Sequence, residues 1–480
     1  MWHAVAAIAA SVVATLTPTD LLHPDTTAVA DAYSDVILCP NANRSYFVPY
    51  AQAEQANWHY IDHDTNTVVA YAHGASNLAS HAYNGGVYSP TNDWIFFVPF
   101  GQANRTHWHY IDCTNASNSG VIVPYATNRD ASEFDTNAYA GGVYSPTNAM
   151  IYLVPHGQAD RDDWHYINAY DKGVHNYSHP TVTPVEGAYW GGVHEPTYNT
   201  IWFAPYNQAV ETHWHFIDVS TATVDFYAPH NGAFSSPATT STAAYVGAVT
   251  CPNGVNYIAP RIYFIPHGQA TQDGWHWVDP YTIGDPLIHN ATGLVSGAYI
   301  GGVYSPNDDR IYLVPYNQAD QDDWHYIDCA TNTVGNYTHN TNAVTGAYRN
   351  GVLDPSNTSI YFAPYAQANQ ATWHSLFLGS TDAPSDAPSS APSSAPSSAP
   401  SSAPASAPSP PGPSPPPGPT APTTPPPTAA PTEDDGLGTT AIVGISVGVA
   451  VALGVVGWKY ATMSVATAVA PTTYIPLTEF

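Results

Sequence analysis

Between residues 58 and 374 of this 480-residue chain, seven histidines stand directly after a tryptophan: Trp58-His59, Trp108-His109, Trp164-His165, Trp214-His215, Trp275-His276, Trp324-His325 and Trp373-His374. Imidazoles invite two kinds of chemistry, metal ligation and proton transfer near neutral pH. Here the pair returns in steps of 49 to 61 residues. A reacting centre needs unlike groups in one place, whereas a residue that recurs in each copy of a motif marks a structural position. The pairs are therefore expected to pack, with each His hydrogen-bonded to a neighbouring backbone group or Tyr. A Gln-Ala dipeptide precedes each pair, and its Gln is expected to tie loops together.

Carboxylates form the second group. Asp160, Asp162 and Asp163 cluster ahead of one Trp-His pair, and Asp320, Asp322 and Asp323 ahead of another. Hard oxygen ligands on a turn hold Ca²⁺, so these turns are the metal positions the sequence offers. Their order does not follow the EF-hand loop, and solvated turns carry such charges too. No other cofactor is implied. Ahead of the apolar C-terminal segment the chain has no Gly-x-Ser-x-Gly elbow, Walker loop, His-Glu-x-x-His or Ser-x-Asp-x-Gly-x-Thr-Trp turn. A glycosidase-type carboxylate pair drawn from separate repeats keeps an enzyme as the alternative reading.

These residues are held by a longer repeat. One copy reads Ala298-Tyr299-Ile300-Gly301-Gly302-Val303-Tyr304-Ser305-Pro306, then Ile311-Tyr312-Leu313-Val314-Pro315, Gln318-Ala319 and Trp324-His325-Tyr326-Ile327-Asp328. Pro, Gln-Ala and Trp-His hold in all seven copies. Short β-branched and aromatic segments separated by Pro, Asn, Asp and Gly read as strands. Four fit in each copy, the last being a Thr-Val-x-x-Tyr stretch such as Thr333 to Tyr337. Four strands in a period near 50 residues predict an all-β fold, a seven-bladed β-propeller over residues 25–378. The seventh copy stops at Leu378, short of a fourth strand. The segment Thr27 to Tyr33 is expected to complete it and remove the open edge.

The pattern resembles propeller repeats of largely uncharacterised protist and bacterial proteins. In those, Gly-Gly-Val, two or three residues, Pro and a turn lead into Lys-Ile-Tyr-x-Ile-Pro and a Val-Ile-Asp strand. The match runs from about Ala32 to Phe377, with Arg310-Ile311-Tyr312 nearest to the Lys-Ile-Tyr core. The Gln-Ala segment and the Trp-His pair depart from that form. The resemblance implies the fold and no activity.

Repeat phase also bears on the four cysteines. Cys39 and Cys251 share one position, before the proline that follows the first strand, in copies one and five. Cys113 and Cys329 share another, after the third strand, in copies two and six. Neighbouring blades touch and distant ones do not, so Cys39–Cys113 and Cys251–Cys329 are the bridges that satisfy disulfide geometry. Bridges of this kind belong to an oxidising compartment.

Composition and flanking segments point to the same compartment. The chain carries 37 acidic against 9 basic residues, a net charge of −28, and Lys172 is its only lysine before Lys459. Nucleic acid is excluded as a partner, since phosphate contacts need clustered cations. Residues 1–16 read as a signal peptide, with cleavage expected after Val12-Val13-Ala14 or, later, Ala28-Val29-Ala30. Residues 379–435 repeat Ala-Pro-Ser-Ser and then Pro-Pro-Gly-Pro, which predicts an extended, O-glycosylated stalk. It resembles the mucin-like or hydroxyproline-rich stalks of protist, algal and oomycete surface proteins. At about 3.1 Å per residue it reaches on the order of 100 Å or more.

Residues 437–458 are long and apolar enough for one membrane helix. Acidic Glu433, Asp434 and Asp435 before it and Lys459 after it put the N-terminus outside and the tail 459–480 inside. Gly444, Gly448 and Ala452 share a helix face suited to pairing two copies. Glycosylation acceptors at Asn43, Asn104, Asn115, Asn176, Asn290, Asn336 and Asn357 all precede the stalk. Together these features predict a stalked, single-pass cell-surface module for recognition or adhesion. Its expected ligand is a glycan or a protein, met by loop side chains such as Tyr316-Asn317-Gln318. The alternatives are an ectoenzyme acting on glycans or small esters, and a structural wall or coat component.

Overall fold

A computed structural model describes residues 16–23, 27–114, 121–179, 184–211, 213–227, 242–252, 260–279 and 287–379. The segments expected to be signal peptide (up to residue 15), stalk (beyond Gly379), membrane helix and tail lie outside the described residues. Among the described residues, no helix is long and apolar enough to cross a membrane.

The short β-branched and aromatic runs form antiparallel sheets, one to each copy of the repeat except the fifth, which splits into two, arranged as the seven blades of a propeller. In the sixth blade the strands are Tyr299–Ser305, Arg310–Pro315, Asp323–Asp328 and Thr333–Thr338, paired in that order. The first strands are Tyr33–Cys39, Tyr83–Ser89, Tyr139–Ser145, Tyr189–Glu195, Tyr245–Cys251, Tyr299–Ser305 and Tyr348–Leu353. Each neighbours the next in a closed ring around the axis. Blade five departs from the others. Its third strand breaks at His276 into Gly274–Trp275 and Trp277–Val278, and its fourth is the pair Leu287–Ile288.

An N-terminal strand closes the ring, but it is Thr17–Leu22, which pairs antiparallel with the third strand of blade seven, Thr372–Phe377. The expected segment, Thr27 to Tyr33, has a different place. It is the connector that precedes a first strand, and the Gln52 side chain accepts from Val29 N as Gln367 accepts from Val344 N before blade seven. The strand one step upstream was available to pair, and it buries Leu21 beside Trp373. The propeller therefore begins at Thr17, ahead of residue 25.

The core lies between blades. Each of seven buried clusters joins two neighbours, such as Phe96, Trp108 and Tyr110 of blade two with Tyr139, Ile151 and Leu153 of blade three. One of them joins blade seven to blade one, so closure is made by packing as well as by strand pairing. Disulfides Cys39–Cys113 and Cys251–Cys329 tie blade one to two and blade five to six, with Cα separations of 5.9 and 5.8 Å. They place the domain in an oxidising, secretory compartment.

Strand direction fixes two ends. First strands begin, and second strands finish, at one end of the propeller, where Tyr33 pairs with Pro49 and Tyr348 with Pro364. The disulfides, the start of the closing strand and the last strand's final residue, Phe377, lie at the other.

Candidate ligand site on the propeller axis

The Trp-His pairs build a repeated layer. All seven tryptophans and all seven histidines are buried. Each tryptophan packs toward the next blade, as Trp373 does against Tyr33 and Phe47 of blade one. Each histidine hydrogen-bonds through Nδ1 to the tyrosine that opens the first strand of its own blade: Tyr33–His59, Tyr83–His109, Tyr139–His165, Tyr189–His215, Tyr245–His276, Tyr299–His325 and Tyr348–His374. Loss of hydration pushes His109, His165, His215 and His325 down to about 4. Neutral imidazoles bonded to a buried phenol suit architecture rather than proton transfer. Each repeated Gln donates from Nε2 to the carbonyl five residues on at 2.8–3.2 Å. Six of them also accept from a connector amide at 2.8–3.1 Å.

A second set of seven sits closer to the axis. The residue after the proline that ends each second strand is Tyr50, Phe100, His156, Tyr206, His267, Tyr316 or Tyr365. Successive rings meet at 5.9, 6.1, 5.8, 6.4, 5.8, 6.1 and, from Tyr365 back to Tyr50, 6.0 Å between centroids. The result is a closed aromatic ring around the axis. Phe100 is buried and the other six are partly exposed. His156 and His267 accept no charge easily, because burial holds both below the usual imidazole range. Their Nδ1 atoms donate to the Tyr189 and Tyr299 carbonyls of the next blade at 3.0 and 2.9 Å.

Two larger side chains reach into this ring from opposite blades. Trp190 meets His156 at 5.0 Å and Tyr206 at 5.3 Å. The Arg349 guanidinium carbon lies 3.9 Å from the Tyr365 ring centroid, 4.9 Å from Tyr50 and 5.6 Å from Trp190. Arg349 is only 8% exposed, and its Nε and Nη1 have no hydrogen-bond partner. Beneath, an axial cavity of about 70 Å³ is lined by the residues after each first-strand tyrosine, among them Ser34, Asn84, Trp190 and Arg349, together with Asp35. The cavity is room for a few waters; a sugar ring does not enter it.

Backbone spacing explains the narrow axis. A Cβ on Gly191, at φ +77°, would stand 2.9 Å from Gly247 Cα, so bulk at that position would force the first strands apart. Asp35 lies here as well, pushed up to about 7 by burial. Its oxygens accept from Val36 N at 2.8 Å, Gly86 N at 3.1 Å and Asn350 Nδ2 at 2.7 Å.

The other sequence-singled residues fall away from the axis. Asp160, Asp162, Asp163, Asp320 and Asp322 are exposed and Asp323 is partly so. Asp320 accepts from Thr345 and Gln321, and Asp323 from Thr338. Among the described residues, one set of three acidic, His or Cys groups brings its ligand atoms within 4.8 Å of one another, Cys39, Asp93 and Cys113, and its two sulfurs are joined to each other. The two aspartate turns form no such set. Of the glycosylation acceptors, Asn104, Asn176, Asn290 and Asn336 are exposed, Asn43 and Asn357 are partly exposed, and Asn115 lies outside the described residues.

Sequence reasoning singled out Tyr316 and missed the other ring members. The signal was present, since an aromatic or His follows that proline in all seven copies. Trp190 and Arg349 show instead as departures, at a position that is Ser34, Asn84, Ala140, Val246 and Ile300 elsewhere.

No known family matches the chain, and no curated protein does. Among solved structures, hydrazine synthase of Kuenenia stuttgartiensis aligns at a TM-score of 0.49 and 11% identity, over 72% of this chain and 95% of that one. The extracellular domain of the two-component system BT4673 of B. thetaiotaomicron aligns at 0.48 and 8%, over 75% and 40%. U3-55K aligns at 0.49 and 7%, over 75% and 98%. Likeness at this level carries no functional argument; the site's own geometry does.

Proposed function

We propose that the protein is a cell-surface recognition module, holding a propeller on a Pro/Ser-rich stalk, and that its glycan or protein ligand seats on the axial aromatic ring. One observation carries this reading. The ring lies at the end of the propeller opposite Phe377, the last residue of the last described strand, and six of its seven members are partly exposed. Exposed aromatic faces around a few polar groups are the usual lining of a ligand site. None of the acceptor asparagines is a ring residue. Pairing through Gly444, Gly448 and Ala452 would present two rings at once and raise avidity without new contacts.

Full-length protein screened on a glycan array and a hydrolase panel tests the reading. Binding without turnover is expected. Turnover would favour the ectoenzyme, and silence in both would favour a wall or coat component.

A further inference from the structure

The nine basic residues of this chain face 37 carboxylates, and most described arginines use them. Arg44 pairs with Asp62, Arg129 with Glu133, Arg161 with Asp135, and Arg310 with Asp308 and Asp328. Arg349 is the buried exception. Among the described residues no carboxylate pairs with it, and two of its three guanidinium nitrogens have no partner. A buried charge without a counter-ion costs several kcal/mol, and aromatic faces return only part of that. The fold does not require the cost, because five other blades place Ser34, Asn84, Ala140, Val246 and Ile300 at the same position. Asp35 shares the axis, but its oxygens are engaged by two amides and Asn350.

We propose that the ligand itself supplies the missing counter-charge: the ring binds a saccharide bearing one anionic group, a carboxylate or a sulfate, with that group on Arg349 and its sugar faces on the surrounding aromatic rings. This deepens the recognition reading and rests on it. A guanidinium offers planar donors to an oxyanion, and Tyr50, Trp190, Tyr206, Tyr316 and Tyr365 offer stacking faces. A polyacidic partner fits worse. The chain's net charge of −28 repels a chain of anions at long range, whereas a single anion desolvated against Arg349 meets its complement.

The test uses the full chain displayed on eukaryotic cells. The probes are a neutral oligosaccharide capped by one uronic acid, its methyl ester, a singly sulfated galacto-oligosaccharide and an Asp-rich peptide. The acid or the sulfate should bind, and which of the two binds tighter identifies the natural group. Esterification, or Arg349→Gln, should weaken the acid's binding on the order of 30-fold, the loss expected on truncating one side of a buried charge pair. Each change should abolish the effect of the other. Equal binding of acid and ester, unchanged binding by Arg349→Gln, preference for the peptide, or no binding of either anionic saccharide would overturn the proposal. Should Arg349→Gln fail to fold, the acid–ester comparison on the unaltered chain decides alone. Neutral saccharides that bind, and are lost on Tyr365→Ala, would sink this proposal and leave the recognition reading standing.

Discussion

Two sets of seven side chains share the same blades and differ in how they are filled. In the outer layer each blade has the same Trp, His, Tyr and Gln, all buried, with each His bonded to its Tyr. Around the axis the filling changes from blade to blade, as Tyr, Phe or His in the ring and as seven different residues, from Ser34 to Arg349, beside it. Every blade must pack against the next, so packing positions recur. A ligand on the axis meets all seven blades at once and needs something different from each. In a closed repeat protein, repetition marks the scaffold and departure from it marks the site.

The largest test of this contrast is acid. His109, His165, His215 and His325 have folded-state values near 4 against an ordinary value near 6.5. The unfolded chain therefore binds more protons between pH 6.5 and 4, and the stability these groups contribute is lost as pH falls through that window. Asp35, raised to about 7, acts the other way and weakens the fold as pH rises from 4 to 7. Four groups outweigh one, so circular dichroism should show one cooperative acid transition near pH 5. A fold unchanged at pH 4 would mean that the histidine layer is not neutral and buried.

Reduction of the disulfides comes next. They close segments of 74 and 78 residues, worth about 4 kcal/mol each in the chain-entropy model. Denaturant midpoints should fall on reduction while ligand binding at the far end survives. Peptide mapping that recovers Cys39 joined to Cys251 would contradict the blade order.

Single substitutions sharpen the contrast further. Trp164→Ala should cost about 3–5 kcal/mol by opening the core between blades three and four. Tyr189→Phe leaves His215 Nδ1 without its phenol and should cost about 1–3 kcal/mol. Tyr316→Ala, on the partly exposed ring, should cost about 1 kcal/mol or less. Equal losses at Trp164 and Tyr316 would erase the distinction between layer and ring.

The sequence spoke more clearly about the layer than about the ring, for the same reason. Trp-His and Gln-Ala recur in fixed phase, so blade number, strand order and both disulfides follow from spacing. Closure was harder to see. The Thr17–Leu22 strand carries Pro18 and Asp20 and little of the repeat, while Thr27 to Tyr33 matches a connector and drew attention from it. The axial site was fainter still. Tyr50 and Tyr365 are far apart in the chain, and only ring closure brings their rings to 6.0 Å. Arg349 looked like one of several arginines until burial showed that it lacks a carboxylate.

The central claim is that the ring, and not the layer, meets the ligand. Its most direct test is the affinity of full-length Tyr316→Ala/Tyr365→Ala for the array-selected saccharide, measured beside its melting curve. The account predicts a melting temperature within a few degrees of the unaltered protein and binding reduced on the order of 100-fold. Unaltered binding with the same melting curve would contradict it.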